Sequence, residues 1–271
     1  MNYIYQEDNL NVLEELHPNS VDLIYIDPPF NTGKSQSRTY IKVKQTPSGD
    51  RVGFKEQRYE TINLGTKSYA DNFGDEFLEF MEPRLQEARR VLSDRGALYF
   101  HIDYREVHYC RILLDKIFGP TNFLNEIIWA YDYGGKSKTR WPAKHDNILV
   151  YVKDPKQYIF NEHSFATHPK RKGSLRVSTA DVWWHTIVPT ASKEKTGYPT
   201  QKPLGIINPI LEVSSNPGDV VLDFFAGSGT TGEACLRLGR KFILVDNNHQ
   251  AIEVMKKRFG ARDDITWYSS L

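Results

Sequence analysis

Residues 21–33 read VDLIYIDPPFNTG. An apolar run, broken only by Asp22, ends at Asp27-Pro28-Pro29-Phe30. A buried strand that finishes on an acid sets a carboxylate at the lip of a sheet, where α/β proteins bind ligands. The two prolines fix φ, restrict the residues before them and remove two backbone donors. What remains is a stiff tip rich in acceptors, the Asp27 carboxylate and the nearby carbonyls, beside the flat face of Phe30. Such a tip suits a planar group that carries an NH2, as a nucleobase amine does. The same four residues also describe a proline-stiffened turn over a buried Phe, and DPPF alone does not separate the two readings.

Residues 219–232, DVVLDFFAGSGTTG, hold the second group with chemical meaning. A buried strand runs into Asp223-Phe224-Phe225-Ala226-Gly227-Ser228-Gly229-Thr230-Thr231, and a helix over GEACLRLG follows, stopped by Gly239. The next strand, KFILVD, ends on Asp246, seventeen residues after Gly229. Glycines at such a turn let backbone approach a ligand, and an acid ending the next strand accepts hydrogen bonds from two ribose hydroxyls. The pattern indicates a ligand containing a nucleoside. Gly227-Ser228-Gly229-Thr230-Thr231-Gly232 also fits GxGxxG, which keeps a nicotinamide or flavin enzyme in view. Against that, the unit is the last of its kind in the chain, and Asp223-Phe224-Phe225 is an unusual lead-in to a pyrophosphate cradle.

The elements that must position these groups follow from the punctuation. Residues 3–5 predict a strand and 9–16 a short helix. Apolar residues at helical spacing predict a helix over 75–92, and Gly96 opens the strand ALYFHI. A helix over 105–118 is stopped by Gly119-Pro120, and 123–130 and 147–152 read as strands. Pro203 opens a helix to about Ser214, and the chain re-enters a strand at Val220. Alternating strands and helices with apolar strands predict an α/β fold, a mostly parallel sheet covered on both faces. Residues 31–70 show little periodicity and predict a long, mobile loop insertion. Residues 153–196 lack the alternating pattern and, with the segment from 133, predict an inserted lobe. The Trp183-Trp184-His185 cluster reads as core or hinge packing.

At 271 residues the chain fits one catalytic domain carrying such insertions. No apolar run reaches the ~20 residues of a membrane span, and the N-terminus lacks the pattern of a signal peptide. Two cysteines are too few for a disulfide framework and predict a reducing, cytoplasmic setting. The histidines form no metal signature. Net charge is only +1, so the chain as a whole is not a basic nucleic-acid binder. From Tyr133 to Arg176, however, ten Lys or Arg stand against three Asp or Glu. That stretch is a solvated face or a phosphate-contacting surface; in the second case Lys136, Lys138, Arg140, Lys170, Arg171 and Lys172 are the contacts.

Taken together, DPPF and DFFAGSGTT resemble the catalytic and S-adenosylmethionine motifs of DNA amino-methyltransferases. Their order, with a basic segment between them, resembles the β class of that family. GYPTQKP at 197–203 resembles the segment that enters the cofactor motif, and QEDNL resembles the early acidic motif. The stretches FLEFMEPRLQEARRVLSDRGALYFHI and HDNILVYVK are similar to the family's intermediate segments. The resemblance implies a Rossmann-like methyltransferase fold, circularly permuted, with a target-recognition lobe at 133–196. It also implies methyl transfer from S-adenosylmethionine to an exocyclic amine of a base flipped out of double-stranded DNA, with no metal, no membrane and a prokaryotic cytosolic setting. A homodimer is compatible with it.

On this resemblance Asp27 and the Pro28 carbonyl accept from the amine, Pro29 stiffens the tip and Phe30 stacks on the base. The loop from Asp223 to Thr231 holds the donor, Asp246 the ribose, and Asp8 lies near the adenine. Thr200 and Lys202 meet the methionine carboxylate, although Lys202 reads equally as a surface charge. Asp in the first motif position implies adenine N6, where Ser implies cytosine N4. Phe30 departs from the commoner Tyr, which keeps the stacking face and loses a hydroxyl. Carbon-5 methylation needs a Cys nucleophile after a proline; Cys110 follows Tyr109 and Cys235 follows Ala234, so that chemistry is excluded. A cytosine-N4 enzyme, an RNA methyltransferase, a nicotinamide oxidoreductase and a DNA-binding module without turnover are the rival readings.

Overall fold

Strands that are apolar on both faces have to be covered on both faces, and this requirement organises the chain. The computed structural model describes residues 1–33, 36–46, 51–52, 58–69, 71, 73–131, 136–162, 180–189 and 192–269. The strands are β1 (Asn2–Gln6), β2 (Val21–Ile26), β3 (Gln36–Gln45), β4 (Arg51–Val52), β5 (Arg58–Tyr69), β6 (Leu92–Ile102), β7 (Phe123–Ala130), β8 (His145–Val152), β9 (Val182–Trp184), β10 (Val220–Asp223), β11 (Lys241–Val245) and β12 (Ile265–Ser269). The α-helices are α1 (Asn9–Glu15), α2 (Phe77–Val91), α3 (Val107–Phe118), α4 (Leu204–Ser214), α5 (Thr230–Leu238) and α6 (His249–Phe259).

Nine strands form one sheet in the order β12-β1-β11-β10-β2-β6-β8-β7-β9. Six of its eight neighbouring pairs are parallel; only β6/β8 and β7/β8 are antiparallel. The mostly parallel sheet expected from the sequence is therefore present, with an antiparallel flank. Side chains alternate across it. Leu23, Tyr25, Val221, Phe242 and Leu244 pack against α4, α5 and α6. Ile24, Ile26, Leu222, Ile243 and Val245 pack against α1, α2 and α3.

The two chemical strands are neighbours. In β2 and β10, Leu23 lies opposite Val221 and Ile24 opposite Leu222, in parallel register. Their carboxyl ends, carrying Asp27 and Asp223, thus emerge on one edge of the sheet. β1 sits between β11 and β12, and the Tyr5 carbonyl accepts from the Asp246 N–H at 3.1 Å. The start of the chain is thereby built into the edge that carries the acid after β11.

One expectation is corrected and another is met in part. Residues 31–70 are not a structureless loop: β3 and β5 pair antiparallel, with β4 beside β5, as a separate three-stranded sheet. Thr39, Ile41, Val43, Thr61, Ile62 and Thr66 supply β-branched residues there, but Lys, Arg and Gln are so frequent that no apolar period stands out. The Trp183-Trp184 pair lies in a strand, β9, at the edge of the main sheet; Trp183 packs against the core as expected, whereas Trp184 is exposed. The elements α6 and β12 lie beyond Asp246, where no element was expected. No helix among the described residues is long and apolar enough to cross a membrane.

Gly232 shows how tightly α5 lies on the sheet. A Cβ there would come 2.7 Å from Leu244 Cδ1 and 2.9 Å from Phe259 Cζ. In an open helix Gly→Ala stabilises by about 1 kcal/mol, whereas overpacking a filled core costs about 1–3 kcal/mol. Gly232→Ala is therefore expected to be net destabilising, seen as a lower urea midpoint with an unchanged slope; a raised midpoint would contradict the packing.

Candidate active site

The shared edge of β2 and β10 opens into a cavity of about 950 Å³. All of the sequence-predicted catalytic and cofactor residues line it except Gly229: Asp8, Asp27, Pro28, Pro29, Phe30, Thr200, Lys202, Asp223, Phe224, Phe225, Ala226, Gly227, Ser228, Thr230, Thr231 and Asp246. Gly229 turns the chain into α5 at φ 73°, and a Cβ there would meet Met255 Cγ at 2.8 Å.

On the β2 side, Asp27 is held by one partner. Lys202 Nζ lies 2.7 Å from Asp27 Oδ2, and both side chains are largely buried, at 11% and 18% exposure. The same ammonium stands 4.8 Å from the Phe30 ring centre. Lys202 is thus a largely buried partner of Asp27 rather than a surface charge. The other oxygen, Asp27 Oδ1, is buried and has no hydrogen-bond partner. Buried acceptors are nearly always satisfied, so this one marks a place where a donor belongs. The chain beyond Phe30 is fixed by Asn31 at φ 54°, whose side chain accepts from the Phe73 and Gly74 N–H groups, both at 2.9 Å.

Behind Phe30 runs a chain of polar groups that no sequence motif connects. The Tyr25 hydroxyl bonds His101 Nδ1 at 2.8 Å, His101 Nε2 bonds Asp146 Oδ2 at 3.2 Å, and the Tyr131 hydroxyl donates to Asp146 Oδ1 at 2.9 Å. His101 is fully buried, with the Phe30 ring 5.8 Å and the Trp129 ring 5.6 Å away. Tyr25, Trp129, Tyr131 and Asp146 all reach the cavity wall. Burial works against charge on Asp146. The bond and charge of His101, with Lys202 and Tyr131, nevertheless hold its carboxyl below the usual range. Burial, followed by the nearby Asp27, Asp223 and Asp146 carboxylates, raises the Tyr25 hydroxyl well above its ordinary value, so Tyr25 keeps its proton.

The β10 side is braced by its own backbone. Asp223 accepts from the Thr231 hydroxyl at 2.6 Å and the Phe225 N–H at 3.1 Å. Asp246 accepts from the Gly227 and Asn248 N–H groups, both at 2.8 Å. The Thr230 hydroxyl donates to the Lys202 carbonyl at 3.2 Å, tying this turn to the segment whose side chain holds Asp27. Thr200, at φ 56°, turns that segment toward the cavity. Asp8 caps α1 by accepting from the Leu10 N–H and pairs with Arg84 through both oxygens, at 3.0 and 3.1 Å. Arg84 also donates to Asn9, which donates on to the Phe224 carbonyl at 2.7 Å. Nothing in the sequence singled out Arg84; of its partners only Asp8 was visible.

Lys136, Lys138 and Arg140 are exposed, on a segment that returns to the cavity wall at Ala143. Lys170, Arg171 and Lys172 lie outside the described residues.

The electrostatics favour a cationic guest. Among the described residues, seven Asp carboxyls line the cavity (Asp8, Asp27, Asp71, Asp103, Asp146, Asp223, Asp246) against four cations (Arg84, Arg105, Lys195, Lys202). Burial first, and the neighbouring Asp27 and Asp246 charges after it, push the Asp223 carboxyl up to about 7. Burial raises Asp246 to about 6, against the pull of its two backbone donors.

A family model described as DNA methylase matches residues 21–257. The type II methyltransferase M.HpaI of Haemophilus parainfluenzae is 32% identical over 253 residues, covering 92% of this chain and 71% of the relative. The DNA adenine methyltransferase YhdJ of Escherichia coli (strain K12) is 30% identical over 272 residues, covering 94% and 81%. Among solved structures, the M1.HpyAVI–SAM complex superposes with a TM-score of 0.62 at 23% identity, covering 96% of this chain and 100% of that one. The cytosine-N4-specific PvuII DNA methyltransferase gives 0.68 at 16%, covering 98% and 89%. At these identities the two structures speak for the fold.

Two outcomes follow from the geometry. Removing one partner of a buried pair strands the other, so Lys202→Met should cost about 2–4 kcal/mol in urea unfolding. The double variant with Asp27→Asn should recover much of that loss, and strict additivity would show the pair to be uncoupled. Asp223 and Asp246 bind protons more tightly folded than unfolded, where Asp titrates near about 3.9. Their contribution to stability is complete below about pH 4 and is lost as pH rises through about 6 and about 7. Relative to Asp223→Asn, which cannot ionise, the ligand-free wild type should lose stability as pH rises from about 4 to about 7 and level off above that; a pH-independent gap would refute the shift.

Proposed function

The chain belongs to the N6/N4 DNA methylase family, and on that footing we propose that it transfers a methyl group from S-adenosylmethionine to the N6 amine of an adenine turned out of duplex DNA. The observation that carries the reading is the unsatisfied, buried Asp27 Oδ1 beside the Phe30 ring, in the same cavity as the glycine turn and Asp246.

The residues present suit the cofactor. Asp246 ends its strand where two ribose hydroxyls would be accepted, and an acid-lined cavity favours a ligand whose sulfonium and ammonium are positive. The same acids disfavour a pyrophosphate, which weighs against a nicotinamide cofactor in the GSGTTG turn. Asp223, Ala226, Gly227, Ser228, Thr230 and Asp246 would surround the nucleoside, with Asp8 and Phe225 on the side braced by Arg84. When bound, S-adenosylmethionine supplies an activated methyl on a sulfonium, so no metal and no covalent enzyme intermediate is called for.

What the chain itself does is hold and polarise the amine. Lys202 occupies Asp27 Oδ2 and so leaves Oδ1 for one amine N–H, with the Pro28 carbonyl accepting the other. Two acceptors aimed at the amine draw its lone pair out of conjugation and stabilise the positive charge that grows on nitrogen. Phe30 stacks on the base, and the rigid DPPF tip fixes the angle of approach. Asp at position 27 and the 30% identity to an adenine methyltransferase favour adenine as the target.

The test uses labelled S-adenosylmethionine and genomic duplex DNA, followed by digestion to nucleosides. Label in N6-methyladenine is expected. Label in N4-methylcytosine would move the assignment to the other base, and no label would reject it. Asp27→Ala should abolish transfer while changing cofactor affinity no more than a few-fold; turnover at the wild-type rate would refute its role.

A further inference from the structure

Turning a base out of a duplex leaves a gap in the stack, and unstacking has to be offset by something that enters it. Phe30 cannot serve both purposes, because it lies inside the cavity at the place where the base would stack. A side chain that fills the gap has to be flat and apolar, stand free of the protein, start from the rim of the cavity and have cations beside it for the flanking phosphates.

Trp141 satisfies these conditions together. It is 96% exposed, the most exposed large hydrophobic side chain among the described residues. It lies two residues before Ala143, which lines the cavity, and the Tyr131 N–H donates to the Lys144 carbonyl at 2.9 Å, closing the segment at a second cavity residue. Its approach is ordered: Ser137 Oγ accepts from the Thr139 and Arg140 N–H groups at 3.2 and 3.1 Å, and Pro142 follows it. Lys136, Lys138 and Arg140 are exposed beside it, and none forms an ion pair with a described residue. The other exposed aromatic groups near the rim fit less well. Tyr104 is only 38% exposed and carries the Arg105 guanidinium 5.5 Å from its ring centre. Trp184 belongs to the edge strand β9, three residues after Asp181, with no cation in that strand.

We propose that Trp141 enters the duplex at the position vacated by the target base, while Lys136, Lys138 and Arg140 hold the phosphates on either side. This rests on the DNA-methylating reading above and adds to it the residue that keeps the base out.

The experiment compares two duplexes carrying the sequence found methylated in the DNA of an expressing host. One is fully paired; the other has an abasic site opposite the target, so the base is already loosened. Trp141→Ala should lower kcat/KM on the paired duplex roughly ten- to hundredfold, as loss of an aromatic stacking contact does, and by less than about threefold on the loosened one. Trp141→Phe should keep most activity on both. Tyr109→Ala, which removes an exposed aromatic from α3 outside the cavity, should match wild type and controls for surface truncation. Equal losses on the two duplexes, or no loss on the paired one, would overturn the proposal. A wild-type protein that labels neither duplex would instead overturn the methylation reading on which it stands.

Discussion

The parallel pairing of β2 with β10 is the constraint on which the rest depends. Asp27 and Asp223 are far apart in sequence, yet Leu23 opposite Val221 and Ile24 opposite Leu222 bring both acids to one edge of the sheet. Parallel neighbours point their carboxyl ends the same way, so the amine-accepting tip and the glycine turn share a cavity without any loop reaching across. The packing that secures the register is ordinary: Leu23 and Val221 on one face, Ile24 and Leu222 on the other, all fully buried. A one-residue slip would turn these side chains to the wrong faces.

A second level of order lies in the segment before α4. The Thr230 hydroxyl donates to the Lys202 carbonyl, and the Lys202 ammonium reaches Asp27. One residue thus joins the two motifs, through its backbone on one side and its side chain on the other. Lys202 therefore lies between the glycine turn and the Asp27 carboxylate, hydrogen-bonded to the first and ion-paired with the second. On the far wall, Arg84 plays a related part by linking Asp8, Asn9 and the Phe224 carbonyl.

Much of this was legible in the sequence wherever the signal was local. Apolar runs without alternation, halted by Pro-Pro or Gly-x-Gly, gave β2, β10 and the residues at their tips. Asp246 followed from the length of one βαβ unit. Contacts between distant segments were not legible. Tyr25, His101 and Asp146 meet only because β2, β6 and β8 are adjacent in the sheet, and nothing near any of them in sequence names its partner. Lys202 looked the same whether it faced solvent, a ligand or Asp27, since a lysine beside a proline carries no periodic signal. The sheet of β3, β4 and β5 was missed for a different reason: its strands are rich in charged residues, and the contrast that marks a strand was faint.

The place where physical rules of sequence reading fail is also where the chemistry sits. A buried carboxylate with an idle oxygen breaks the rule that buried polar groups are satisfied. A buried carboxylate also needs a counter-charge, and Lys202 supplies it by pairing with one oxygen while the other is left without a partner. At Asp27 the two requirements are met on different oxygens: Lys202 neutralises the carboxylate through Oδ2, and Oδ1, buried in the wall of the same cavity, is left for an incoming N–H, so the acceptor is in place before the donor comes.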